Sequence, residues 1–88
     1  MTAEAPIHRR VDRARVWKLL GEPDEQIGSV NDPRTHEEQG HVWNEKWIYW
    51  RPGSREPERV ALWNRYDFLG AFRVGEGGAL TPEELPPG

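Results

Sequence analysis

The chain contains no cysteine, only two serines (Ser29 and Ser54), and no apolar run approaching the ~20 residues that a membrane-spanning helix needs. Each absence removes a class of explanation. Without cysteine there is no disulfide framework and no thiolate zinc site. An 88-residue domain without such staples must rely on packed apolar side chains, and small domains bury a modest fraction of their surface. Neither serine sits in the sharp-turn context of an activated nucleophile. Gly75-Glu76-Gly77-Gly78 is glycine-rich but is followed by no lysine, so it does not cradle phosphate as a P-loop does. The segment Met1–Ile7 has no long apolar stretch, and Arg9 and Arg10 follow at once, which argues against a targeting sequence. These absences together predict a cytoplasmic, non-membrane protein with no catalytic residues and no cofactor.

Charge is present but unevenly placed. The formal net charge is −3. The first 21 residues are basic, with Arg9, Arg10, Arg13, Arg15 and Lys18 against Glu4 and Asp12. Residues 22–38 carry Glu22, Asp24, Glu25, Asp32, Glu37 and Glu38 against Arg34. The last stretch holds Glu76, Glu83 and Glu84 and no base. A net acidic domain lacks the broad basic face that phosphate backbones select.

What the chain has in abundance is tryptophan. Trp43, Trp47, Trp50 and Trp63 fall within one short stretch, and Trp17 precedes them. Tryptophan is large and stiff, and its N–H wants a partner when buried, so such a cluster builds either a core or a binding face.

The pattern along the chain predicts an α+β domain spanning residues 11–75, between a flexible N-terminus over 1–10 and a flexible, acidic, Gly/Pro-rich tail over 76–88. Asp12 is a fair N-cap, and Ala14, Val16, Trp17, Leu19 and Leu20 recur near helical spacing. Gly21 and Pro23 end that helix, placing it at 12–20. Residues 22–40 are polar and rich in breakers and read as a long loop, with a turn of helix near 24–26 or a short edge strand near 28–30. Residues 41–51 and 58–67 are rich in aromatic and β-branched residues and read as strands. Asp67-Phe68-Leu69-Gly70 makes a turn into a third strand over 71–75. The expected fold is one N-terminal helix packed on a three-stranded antiparallel meander, with disordered termini.

Three short pieces carry a family resemblance: Leu20-Gly21-Glu22-Pro23, then Trp47-Ile48-Tyr49, then Phe68-Leu69-Gly70-Ala71-Phe72-Arg73-Val74. In this order they resemble the small BamE/SmpA-like domains, over about residues 12–75. That resemblance implies a helix-on-sheet fold and a protein-binding role. Members at the outer membrane carry a signal peptide and a lipidated cysteine, and this chain shows neither.

Strand alternation divides the aromatics. Ile48 and Trp50 share a parity and are expected to meet Trp17 on the helix, while Trp43, Trp47 and Tyr49 take the other parity, joined by Trp63 on the next strand. One helix cannot cover both faces. Trp43, Trp47, Tyr49, Trp63 and Arg65 are therefore the expected partner-binding patch, contacting another protein or a second copy of the chain, since interfaces favour Trp, Tyr and Arg at their centres. Equally open is closure of that face by loop 22–40 and the tail. The alternative function is nucleic-acid binding, with Arg9, Arg10, Arg13 and Lys18 as the charged track and the sheet aromatics as stacking platforms. His36 and His41 are five apart with Gly40 between them, which does not match the i, i+4 helical zinc pair, so no metal site is expected there. The carboxylates at 22–25 and 37–38 lack the apolar surroundings that desolvate one member of a pair for acid–base work.

Overall fold

The computed structural model describes residues 13–85. Helix α1 runs over Arg13–Leu20. It stops where the sequence requires: Gly21 takes φ +88° and its N–H donates to the Trp17 carbonyl at 2.6 Å. The expected start at Asp12 and the N-terminal arm over 1–10 lie outside the described residues.

Seven strands follow in two antiparallel sheets. They are β1 (Glu25–Gly28), β2 (His36–Glu38), β3 (His41–Trp43), β4 (Glu45–Trp50), β5 (Pro57–Asn64), β6 (Asp67–Val74) and β7 (Leu80–Glu83). The larger sheet has the order β1-β4-β5-β6-β7, and β2 pairs with β3 in a separate hairpin. The expected three-stranded meander is thus corrected to a five-stranded sheet plus a hairpin. The meander itself is its centre, formed by β4, β5 and β6.

The additions come from segments whose polarity argued against strands. Residues 22–40 are not a plain loop: Glu25-Gln26-Ile27-Gly28 pairs with Ile48-Trp47-Lys46-Glu45 as an edge strand, and His36–Glu38 forms half of the hairpin. Its turn, Gln39-Gly40, has φ +51° and +87°, two positive values in succession as tight hairpins favour. The tail is likewise ordered through Leu85: Val74↔Leu80 through Ala71↔Glu83 pair β7 onto β6. Arg59 fixes this edge strand through a two-pronged contact, Nε and Nη2 each donating at 2.7 Å to one Glu83 oxygen. That pairing holds the Glu83 carboxyl below its ordinary range and raises Arg59.

The sheet is covered on both faces. On one, Val16 of α1 packs with Trp47, Ala61 and Trp63, with Leu20, Phe68 and Leu85 around them. On the other, Trp43 of the hairpin packs with Ile48, Val60, Leu62 and Phe72, with Leu80 alongside. The tail therefore contributes to both cores, Leu80 to one and Leu85 to the other. His41 lies 4.7 Å from the Phe72 ring and His36 stacks at 4.5 Å on Trp43. Gln39 locks the hairpin to the tail, donating to the Gly78 carbonyl and accepting from the Leu80 N–H.

Asn44, between β3 and β4, resets the alternation. Its backbone N–H donates to the Trp63 carbonyl, its Nδ2 to the carbonyls of Val30 and Asp32, and its Oδ1 accepts the Arg65 N–H. With the chain pinned there, Trp43 enters the hairpin-side core while Glu45 and Trp47 point to the helix side. The expectation that α1 meets Ile48 and Trp50 is therefore reversed: the helix lies on the Trp47–Trp63 face.

Candidate functional site

The expected partner-binding residues divide sharply. Trp43, Trp47 and Trp63 are 6%, 2% and 0% exposed, so the face they share in a plain alternation is closed by the chain itself. This corrects the idea that they form an open patch. Tyr49 is half-buried, its hydroxyl donating to the Gly21 carbonyl at 2.9 Å, and burial pushes its pKa up to about 12. Arg65 lies in the β5–β6 turn with φ +56° and is exposed, its backbone N–H donating to Asn44 Oδ1 at 2.8 Å.

The helix-side face holds the densest arrangement of chemistry. Glu45 is buried, its side chain 3% exposed, and Trp47 donates its indole N–H to Oε2 at 2.8 Å. Arg13 reaches down from the start of α1, and its Nη2 lies 2.8 Å from both Glu45 oxygens. The Arg13 guanidinium carbon sits 4.6 Å from the Trp63 ring centre and 5.3 Å from that of Trp47, within cation–π range. The rings of Trp47 and Trp63 are 5.0 Å apart, tilted by 49°. Glu45 has no role in the sequence reading; the signal that could have found it is an acid at the same strand parity as Trp47, inside an otherwise aromatic strand.

Above this buried group lies a surface hollow of about 420 Å³, lined by Arg13, Ala14, Trp17, Gln26 and Trp47. Trp17 meets Trp47 edge-on at 5.6 Å and 86°, yet is itself 40% exposed. Gln26 reaches the hollow from β1, the edge strand opposite Trp47 in register. Arg15 and Lys18 are exposed on the same helix, and neither has an ion-pair partner among the described residues. Edge strands β1 and β7 differ. Pro82 interrupts β7 and removes a backbone donor, whereas β1 has no proline and is exposed along its length.

The residues of the nucleic-acid alternative do not form a track within the described residues. Arg9 and Arg10 lie outside them, Arg13 is directed inward to Glu45, and only Lys18 remains exposed. His36 stacks on Trp43 whereas His41 lies tilted against Phe72, and no group of three or more histidine or acidic side chains with metal-holding geometry occurs among the described residues. No described helix is long and apolar enough to cross a membrane. No protein-family model, curated protein or solved structure matches the chain.

Proposed function

We propose that this domain is a non-enzymatic protein-interaction module that seats an apolar side chain from an acidic segment of a partner protein against Trp17, beside edge strand β1. The observation that carries the reading is the open face of Trp17 at the mouth of the hollow. A tryptophan 40% exposed, braced edge-on by a buried tryptophan, presents a large rigid apolar surface whose ordering is already fixed by the fold. Such anchors dominate interface energetics. Arg15 and Lys18 on the same helix, exposed and without an ion-pair partner among the described residues, supply the charge complementarity that selects an acidic segment. An extended segment lying along β1 also meets its outward backbone groups, as strand addition requires.

The test is selection of peptides from a random library on the wild-type domain, with the Trp17→Ala variant as counter-selection. Enriched peptides are expected to carry a large apolar residue flanked by Asp or Glu. Their affinity should fall about thirtyfold in Trp17→Ala, the effect of losing a hot-spot side chain worth about 2 kcal/mol. The reading is overturned if no Trp17-dependent peptide emerges, if single-stranded DNA binds at low salt instead, or if Trp17 proves to hold a dimer of the chain in solution.

A further inference from the structure

Arg13 fills a box made of two indole rings and a carboxylate, and we propose that this box is a recognition site for organic cations in which Arg13 is the occupant supplied in cis. The ligand class is a compact guanidinium or ammonium head, as on a free or alkylated arginine or lysine side chain. This inference does not rest on the peptide-binding role of Trp17: it concerns the site beneath the hollow and requires Arg13 to leave it.

Three observations support it. First, the walls are those that recognise cations generally: the rings of Trp63 and Trp47 within 4.6 and 5.3 Å of the charge, and the Glu45 carboxylate touching it at 2.8 Å. Trp47 also donates to Glu45, which fixes the carboxylate in place whichever cation is present. Second, arginine is an imperfect occupant. One nitrogen, Nη2, contacts both carboxylate oxygens, and the other, Nη1, is buried with no acceptor among the described residues. The fork that suits guanidinium to carboxylate is therefore not used, and a free guanidinium, not held by the helix backbone, can turn to present two nitrogens to the same carboxylate. Third, the Arg13 side chain is 29% exposed, so it enters the box from the surface.

The electrostatics make the exchange feasible. Removing Arg13 alone leaves a buried carboxylate unpaired, which is strongly destabilising. An entering cation restores the pair, so the exchange keeps one cation against one anion throughout. Arg13 retains the advantage of attachment, equivalent to a local concentration of about millimolar order for a short tether. A free cation therefore competes poorly with wild type and well with a chain lacking the guanidinium.

The experiment titrates methylguanidinium chloride, against sodium chloride at matched ionic strength, into wild type, Arg13→Ala and Arg13→Ala/Glu45→Gln, reading tryptophan fluorescence and melting temperature. Saturable binding by Arg13→Ala, about tenfold or more tighter than by wild type and lost in the double variant, is expected. If Arg13→Ala is unfolded in buffer, the readout becomes methylguanidinium-dependent folding by near-ultraviolet circular dichroism, because a ligand that binds only the folded state drives folding. Restored folding supports the proposal. No saturable response, an equal response in wild type, or one that survives Glu45→Gln overturns it.

Discussion

Replacing Glu45 by glutamine tests the buried group at the centre of the helix-side core. The substitution keeps shape and one acceptor oxygen but removes the charge. In the native chain two donors converge on this carboxylate: Arg13 Nη2, at 2.8 Å from both oxygens, and the Trp47 indole N–H, at 2.8 Å from Oε2. Glutamine can accept from one of them through its single oxygen, and its NH₂ group turns a donor toward the other. Breaking one member of a buried ion pair costs about 3–5 kcal/mol. Arg13 is 29% exposed and can recover some hydration by turning outward, so the expected loss is about 2–4 kcal/mol. A chain of 88 residues has about 4–13 kcal/mol in all, so this single change consumes a large share of it. Urea unfolding followed by tryptophan fluorescence and by near-ultraviolet circular dichroism measures it. Arg13→Met, Glu45→Gln and the double variant complete a cycle. In the double variant, Met fills the space between the rings and Gln retains an acceptor for Trp47, so the double is expected to be more stable than the sum of the singles by about 2 kcal/mol. A loss below about 1 kcal/mol in Glu45→Gln, or additive singles, refutes the claim that the pair is desolvated and shared.

Gly28→Ala should be disruptive, because Gly28 has φ +76° and an added Cβ would sit on the Asn44 carbonyl oxygen; Gly53, at φ +78° with open space around it, is the control. Denaturant unfolding should show a loss of about 3–5 kcal/mol for the first and about 1–2 kcal/mol for the second, and equal losses would refute the close-approach argument. Glu83→Gln should lower stability by about 1–2 kcal/mol at neutral pH through loss of the Arg59 fork. The Glu83 pKa is lowered in the folded chain, so its contribution is present above the unfolded value and is lost as pH falls through the folded one. The gap between wild type and Glu83→Gln should therefore close as unfolding is measured at progressively more acidic pH, and a gap constant from neutral to strongly acidic pH would refute it.

The central meander was legible because its signals are local. Gly21 and Pro23 end the helix, and the aromatic and β-branched runs at 41–51 and 58–67 make strands whatever surrounds them. Strands β2 and β7 were not legible, and β1 only as an edge strand expected near 28–30 that forms at Glu25–Gly28 instead, because their residues carry little intrinsic strand preference. Glu25-Gln26-Ile27-Gly28 and Leu80-Thr81-Pro82-Glu83 become strands by pairing with β4 and β6, in registers that run from Gly28↔Glu45 to Glu25↔Ile48 and from Val74↔Leu80 to Ala71↔Glu83. Tertiary pairing outweighs propensity there, and it does so most easily at the two edges, where only one ladder has to form.

The candidate site was half legible for a related reason. Period-2 alternation assigns Trp43 and Trp47 to one face, and the assignment holds only while the strand is continuous. Asn44 breaks it. A residue with low strand preference, 1% exposed, has both amide donors and its oxygen engaged, by Val30, Asp32 and Arg65. Satisfying a buried amide this completely is what holds the chain in the break between β3 and β4. The break sends Trp43 to one core and Glu45 with Trp47 to the other, so that an acid which alternation alone would leave beside three tryptophans in an open patch is instead enclosed with two of them. Enclosure then demands a cation, and Arg13, given in the sequence only a place in the alternative nucleic-acid track, is the residue within reach. What remains outward on that face is Trp17, which the sequence assigned to the core. The exposed tryptophan and the half-buried arginine are thus two consequences of one asparagine.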